Sequence, residues 1–449
     1  MGRLWPEESG ELKRQGGEVK NTGDWEEGEV ESKRILCLCS ESEAPIVEEN
    51  AKELEPYLVE VETAETVFSL GISKYLSEMI DLINQDPTRY HGVVGTRDLT
   101  AVFAIVISAK TGKTSASVEG LINCQNKYIS RKKQQEVAPE CVPYFGLDSD
   151  FLWDFPLPPP FFVKPVRGNV SYQSWMCFSY DSLRRIISEN TAELSQYNHY
   201  YLESLKIGSH LDHQLNLETC NKFLCEAIIP GMQLTINGYV WKGQVQWLGM
   251  VKAEFLSDGL SFSHHEYPFQ LPPEEEARLM ELVKKLVEAL ELDNTCFNVE
   301  VRLDPGQREI KIIEVNCRAA FQFIRTIEAV TGCNLLLWMC QLAAGDAPSW
   351  KPVRHKKPLY PLCFNFELRE EEDREVLRIP TGTDLAGLEK DFPEVTVKNL
   401  VQPNTRLSHY KQNPKSYRYC ILDVPGNSKE EILAKMREVK SRLGYEFSS

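Results

Sequence analysis

The chain is short of positive charge: 50 Lys plus Arg stand against 66 Asp plus Glu, a formal charge of −16 over 449 residues. That deficit excludes a protein built to coat nucleic acid or anionic lipid, because phosphate binding feeds on Lys and Arg; a local basic pocket stays open. No apolar stretch approaches the roughly 18 to 20 uninterrupted residues of a membrane helix, so no membrane partner is expected. Residues 1–30 lack the apolar core of roughly 7 to 15 residues that a secretory signal carries, which makes a cytoplasmic location the expectation. The cysteines are odd in number, thirteen, and no two form C-x-x-C; the nearest are Cys37 and Cys39. Such usage excludes a disulfide framework or a zinc knuckle and fits reduced thiols. His210 and His213 form H-x-x-H without further spaced ligands and read as a solvated loop. No internal repeat occurs, and the Walker pattern G-x-x-x-x-G-K-[ST] is missing.

What is present is an ordinary globular composition, 42% hydrophobic and 10% aromatic, long enough for about three packed lobes. Residues 1–34 hold nine acids and six bases with few apolar residues, so residues 1–33 read as a flexible acidic tail. From Arg34 the pattern alternates short apolar strands (Ile35–Cys39, Leu58–Val61, His91–Thr96) with helical segments, the βα rhythm of a parallel sheet over residues 34–114. A helix is expected from Asp98 to Ala109, stopped by Gly112, and a second over 115–137. The Pro-rich segment Pro156–Pro160 is a stiff connector, after which Phe161–Val166 opens a new lobe. Helices are expected over 182–190, after Thr191, and over 324–344, with strands near 223–229, 233–241 and 244–255. Pro272-Pro273 introduces an amphipathic helix with Leu279, Val283, Leu286, Val287 and Leu290 on one stripe. Residues 349–449 read as a small α+β cap.

The most informative segment is a hairpin, Phe297–Leu303 and Glu309–Arg318, around Asp304-Pro305-Gly306. Strand alternation puts Asn298, Glu300 and Arg302 on one face, and Glu314, Asn316 and Arg318 on one face of the returning strand. A turn centred near Gly306-Gln307 sets Glu300 opposite Glu314. Facing like charges cost up to roughly 1 kcal/mol unless a cation neutralises them. Two carboxylates and an amide oxygen are what a hard cation takes, and magnesium uses one or two carboxylates plus phosphate oxygens. Arg318 beside them could stabilise a transferred phosphoryl group. Lys164, inside the apolar run FFVKPV, needs a partner, and a phosphate would serve. Arg167-Gly168-Asn169-Val170-Ser171 after it is a short Gly loop whose amides and hydroxyl could close over phosphates.

Taken in order, Lys127 in N-K-Y-x-S-R, Lys164 about 37 residues on, Glu226 in L-C-E-A-I-I-P-G, Glu300, and E-V-N-C-R resemble the ATP-grasp superfamily of carboxylate ligases, from Arg34 to Phe447. The resemblance implies an α/β and α+β architecture: an N-terminal Rossmann-like βα lobe (34–114), an ATP-grasp domain (115–348) and the cap. Within that domain, residues 115–160 would be a linker helix and strand, 161–230 a small ATP-binding lobe and 231–348 the catalytic lobe. It implies that Lys127 and Lys164 contact adenine and phosphates, with Gly168 and Ser171 in the loop over them. Glu226, Ala227 and Ile228 would form the hinge strand at the adenine. Glu300, Glu314 and Asn316 would hold Mg2+ or Mn2+.

Departures from the family pattern are Asn126 where an acid usually precedes the first Lys, Gln233 where a Glu often holds the ribose, and Ala319, Ala320, Phe321 and Gln322 where many members have Gly-Gly. The activity implied is ATP-dependent activation of a carboxylate as an acyl phosphate, then attack by an amine. The cap resembles that of ligases joining two amino acids, carnosine-synthase-like enzymes included. Lys252, the pair His264-His265 and Arg302 lie where substrate-facing strands are expected. Small-molecule acid and amine are the expected partners, and homodimers are common in the family. A biotin-carboxylase-like enzyme or a nucleotide-binding regulatory protein are the alternatives; no biotin-attachment lysine occurs in the chain.

Overall fold

A computed structural model describes residues 32–52, 54–152, 157–168, 173–208, 213–304, 306, 308–349, 359–410 and 416–448. The acidic tail lies outside these residues up to position 31, and so do His210 and Ser171. Lys33, expected in the tail, opens the first strand, where its ammonium pairs with Asp346 at 2.6 Å.

Strands β1 (Lys33–Cys39), β2 (Tyr57–Thr63) and β3 (Gly92–Gly95) form the parallel sheet β2-β1-β3. Ile35 through Cys39 are buried on both faces, which is why they read as an unbroken apolar run rather than an alternation. The helix Asp98–Thr111 packs on this sheet, buried from Thr100 to Ser108, and ends where Gly112 takes the left-handed conformation, φ 67°.

The next strands, β4 (Phe145–Leu147), β5 (Phe161–Pro165), β6 (Trp175–Cys177) and β7 (Phe223–Glu226), make a small antiparallel sheet in the order β4-β7-β5-β6. Between β6 and β7 runs one helix of 29 residues, Tyr180–Gly208, where two segments were expected. Then come β8 (Met232–Trp241), β9 (Gln244–Phe255), β10 (Phe262–Phe269), β11 (Thr295–Asp304), β12 (Glu309–Asn316), β13 (Leu362–Glu370), β14 (Val376–Arg378), β15 (Thr396–Asn399), β16 (Tyr417–Gly426) and β17 (Glu446–Phe447). β14 pairs with β17, and the other eight form one sheet, β12-β11-β8-β9-β10-β13-β16-β15. Strands β13, β16 and β15, in the region expected to form a cap, therefore continue the sheet of β8–β12 through the pairing of β10 with β13, and β14 and β17 pair apart from it. The amphipathic helix Pro273–Ala289 covers one face of this sheet; Leu279, Val283 and Leu286 share a core with Val299, Val301 and Ile312.

Two expected helices are broken. The stretch 115–137 divides into Val118–Gln125 and Lys127–Val137, because the Asn126 side chain caps the second by accepting the Ile129 amide at 3.1 Å. The stretch 324–344 divides into Ile324–Thr331 and Leu335–Ala343, bent by 114° at Gly332 and restarted by Asn334. Among the described residues no single helix is long and apolar enough to cross a membrane.

Candidate active site

The site forms on the face of the large sheet turned away from the Pro273–Ala289 helix. Glu300 on β11 pairs in register with Glu314 on β12, and Asn298 with Asn316, so all four side chains share that face. The alignment depends on a bulge: Val301 pairs with Ile312, and Ile313 is the extra residue that realigns the strands. Taken out of register, Ile313 offers its carbonyl to the Arg131 guanidinium at 2.8 Å and to the Lys164 ammonium at 3.4 Å.

The two glutamates are not equivalent. Burial, reinforced by the neighbouring Glu314 charge and opposed by Arg318, Lys164 and Lys127, pushes the Glu300 carboxyl up to about 7. Glu300 also accepts from the Gln233 amide at 3.1 Å. Glu314 pairs with the Lys127 ammonium at 3.1 Å, and Lys127 donates as well to the Gly168 carbonyl at 2.7 Å. The Asn316 side-chain amide donates to the Asn298 side-chain oxygen at 2.9 Å. Among the described residues no group of three or more His, Cys, Asp or Glu is placed to hold a metal ion by itself. The fit is instead to a cation sharing its ligands with phosphate: two facing carboxylates, one of them raised chiefly by burial, with an amide beside them.

Glu226, expected at the hinge facing the nucleotide, is buried at 2% exposure and serves as an internal counter-ion. One carboxylate oxygen takes the Arg131 guanidinium at 2.5 Å and the other the Lys164 ammonium at 2.6 Å. Burial works to raise its pKa, but the two cations overcome that and hold it at about 2. The Lys164 ammonium is pulled below the usual lysine range, first by burial, with Glu226 opposing. Beyond β7, Ala227 donates its amide to the Tyr144 carbonyl at 2.9 Å, and the Ile228 side chain is exposed. Ala227 therefore has its carbonyl, not its amide, to offer an adenine ring. Gly231 closes this turn at φ 99°, and any side chain there would strike the Leu303 carbonyl.

Arg318 leaves the end of β12 and is gripped from the N-terminal lobe: Asp98 at the start of the Asp98–Thr111 helix takes its Nε at 2.6 Å and an Nη at 3.1 Å. Burial acts to lower the arginine pKa, yet Asp98 drives it upward. The Asp98 carboxyl is driven down, since Arg318, Lys127 and Arg167 outweigh its burial. Asp98, Gln125, Arg167, Gly168, Tyr197, Glu314 and Asn316 line one cleft.

Three of these residues carried no expected role of their own, although Arg131 closes the motif N-K-Y-x-S-R and Arg167 opens the Gly loop. Arg131 lies one helical turn after Lys127, and that i, i+4 spacing was its signal. Arg167 stacks on Tyr201 at 4.1 Å in the Gly loop segment, and Asp98 carried no signal beyond its place at a helix start. Gln233, expected at a ribose, is turned onto Glu300 because its register partner is Arg302, one row away on the same face.

Of the residues expected at the substrate, Arg302 shares the Glu300 face but its guanidinium bonds the Gly231 carbonyl at 3.3 Å and lies over Phe255. Lys252 and His264 are not brought to the site. Thr235 pairs with both Glu300 and Val251, so Lys252 points to the opposite face, as does His264, whose partner Glu254 lies two residues beyond it. There Lys252 meets Glu254, and His264 meets Glu266 at 3.3 Å. His265, in the alternate position, is the histidine that faces the site's side of the sheet.

Residues 157–326 match the ATP-grasp domain family, and the fold and this cleft together define a chain carrying an ATP-grasp domain. Among solved structures it is similar to an L-amino acid ligase from Bacillus licheniformis, at 17% identity and a TM-score of 0.69, covering 93% of this chain and 100% of that one. A phosphoribosylglycinamide synthetase from Anaerococcus prevotii matches at 16% identity and 0.59, covering 93% and 100%. A biotin carboxylase from Campylobacter jejuni, in complex with an ATP analogue, matches at 14% and 0.60, covering 92% of each chain. At these identities the likeness establishes the fold. No curated protein matches the sequence.

Proposed function

We propose that this chain is an ATP-dependent carbon–nitrogen ligase that activates a carboxylate as an acyl phosphate and condenses it with an amine, releasing ADP and phosphate. Amino acids or related small molecules are its substrates, which the likeness to an L-amino acid ligase over that chain's whole length supports. The observation that carries the reading is the convergence of Glu300, Glu314, Asn316, Lys127, Lys164 and Arg318 on one side of the sheet. In this reading residues 34–114 form the N-terminal lobe, 115–348 the ATP-grasp domain and 349–449 the cap. Thirteen buried free cysteines support a reducing compartment, the cytoplasm.

The chemistry balances simply. A substrate carboxylate oxygen attacks the γ-phosphorus, and the bond to the ADP oxygen breaks. The amine nitrogen then attacks the acyl carbon, a C–N bond forms, and phosphate leaves with the electron pair while the amine sheds a proton. Magnesium, when bound, neutralises phosphate charge, and Glu300, Glu314 and Asn316 are the residues that would hold it. Lys127 and Lys164 face the phosphates; each ammonium has three donors, so Lys164 keeps Glu226 while reaching a ligand. Arg318, aimed by Asp98, stabilises the charge that develops where carboxylate and phosphoryl group meet. The walls of the cleft exclude the water that would hydrolyse an acyl phosphate.

The test is ADP and phosphate release with ATP and pools of amino acids and other acids, with a bicarbonate arm for the carboxylase reading. Release that depends on both an acid and an amine is expected, and Glu314→Gln should abolish it while leaving the fold intact by circular dichroism. Full activity in that variant would overturn the metal-site assignment, and ADP release driven by bicarbonate alone would overturn the substrate class.

A further inference from the structure

The site's face of the large sheet runs on past the candidate metal ligands. Along β11 it carries Glu300, then Asn298, and one row further back Cys296, whose register partner on β8 is Tyr239 as that of Asn298 is Asn237. Over that last row the N-terminal lobe and the helix Leu335–Ala343 approach the sheet without closing on it. A cavity of about 60 Å3 remains, walled by Gly95 of β3, Ala101, Ala104 and Ile105 of the helix Asp98–Thr111, and Met339, with Cys296 on the sheet side. The steps above do not use it.

One ion pair stands between this cavity and the cleft. Arg318 lines the cavity, while Asp98, which holds the Arg318 guanidinium, lines the cleft with Glu314 and Asn316. Asp98, Ala101 and Ile105 recur at i, i+3 and i+7, so a single stripe of one helix grips the arginine and then walls the cavity. The arginine still has donors to offer. Asp98 takes the N–H on Nε and one on a terminal nitrogen, and the Ala319 carbonyl takes one on the other terminal nitrogen at 3.2 Å. Among the described residues one N–H is left over on each terminal nitrogen, and a carboxylate takes such a fork.

Size and charge decide what the cavity accepts. An apolar cavity of roughly 150 Å3 holds a benzene ring, so this one takes about two or three heavy atoms. Arg318 is the one charged residue in its lining, and Asp98 already holds that charge. A second charge carried in by a ligand would find no counter-ion. We propose that the acid to be activated sets its carboxylate on the free fork of Arg318 and its substituent in the cavity behind, so that the acids accepted are those whose substituent is short and uncharged. Ala101, Ala104 and Met339 set that limit without touching the reacting atoms. This rests on the ligase reading above, and it adds a restriction on the acid that the phosphate-facing residues do not impose.

The experiment uses hydroxylamine as the amine, because it traps an acyl phosphate as a hydroxamate whatever the natural amine is. Hydroxamate and ADP are measured with ATP, magnesium and straight-chain acids from acetate to hexanoate, with butanedioate as the acid bearing a second charge. In the wild type kcat/KM should rise about fourfold per methylene, the worth of a buried CH2, as far as propanoate or butanoate and then fall; butanedioate should be poor. Ala104→Val fills the space and should move the optimum to a shorter acid. Met339→Ala should move it to a longer one, and in both variants the KM for ATP should hold. The same optimum in the wild type and both variants would overturn the cavity assignment and leave the ligase reading standing, as would hexanoate or butanedioate turning over as well as butanoate. No hydroxamate and no ADP from these acids or from a pool of amino acids would overturn both. Thermal-shift titration of the wild type with the same acids reads the limit by binding, without any variant: shifts that grow steadily through hexanoate would also overturn it.

Discussion

Glu226→Gln is the substitution whose outcome the structure predicts most sharply. The wild-type carboxylate is almost wholly buried, and each of its oxygens serves a different cation, Arg131 and Lys164. The amide keeps the volume, but one end now presents N–H donors to a cation and the other a neutral acceptor. Of the two buried positive charges, Arg131 keeps the Gln134 side-chain oxygen and the Ile313 carbonyl, and Lys164 keeps that same carbonyl, none of them charged. Removing one partner of a buried pair costs about 3 to 5 kcal/mol, a large part of the roughly 5 to 15 kcal/mol by which domains are stable. Burial already lowers the Lys164 pKa and Glu226 is the main influence raising it, so the variant's lysine should lose its proton at a lower pH. Nucleotide affinity in Glu226→Gln should then weaken with rising pH more steeply than it does in the wild type. Urea denaturation gives the stability, and nucleotide titration at a series of pH values gives the second effect. A loss under about 1 kcal/mol, with nucleotide affinity independent of pH, would refute the view that Glu226 is the counter-ion of the site and not a ligand contact.

Three further outcomes follow from the same geometry. Asp98→Asn keeps one hydrogen bond to Arg318 but removes the charge that orients it; kcat should fall about tenfold to a hundredfold with the KM for ATP little changed, and Asp98→Glu should recover part of the loss. An Asp98→Asn enzyme with unaltered kcat would remove Asp98 as the positioning group. Buried His265 has its pKa depressed by burial to about 4, below an unfolded value near 6.5, so its contribution to stability is present above pH 6.5 and is lost as pH falls through 4; the urea midpoint measured across that window should drop less in His265→Asn. Asn126→Ala removes the cap of the Lys127 helix and two buried hydrogen bonds, to Asn216 and Thr219, and should cost about 1 to 2 kcal/mol by denaturation, with nucleotide affinity falling because Lys127 is the first residue of that helix.

How far the sequence carried the interpretation depended on parity. The face shared by Glu300, Glu314 and Asn316 was legible because polar and apolar residues alternate strictly along Phe297–Leu303, and the eye can count by two. The bulge at Ile313 was not legible, since nothing in Ile312-Ile313 marks which isoleucine leaves the register. On β9 and β10 the side chains alternate less cleanly and the pairing is interrupted between Phe262 and His264, so the face that Lys252 and each of the two histidines takes was not legible there. Asn126 had stood out as a departure from an acidic pattern; its structural role, capping a helix, follows from the same short polar side chain that made it conspicuous. The grip of Asp98 on Arg318 joins residues 220 positions apart, and no local pattern encodes such a meeting.

The edge-to-edge union of β10 with β13 fixes which parts of the molecule can move. The ladder from β12 to β15 joins the strands that carry Glu300 and Glu314 to the C-terminal strands in one plate. Among the described residues the four-stranded sheet shares no strand pairing with that plate, so the two can shift against each other without breaking a ladder.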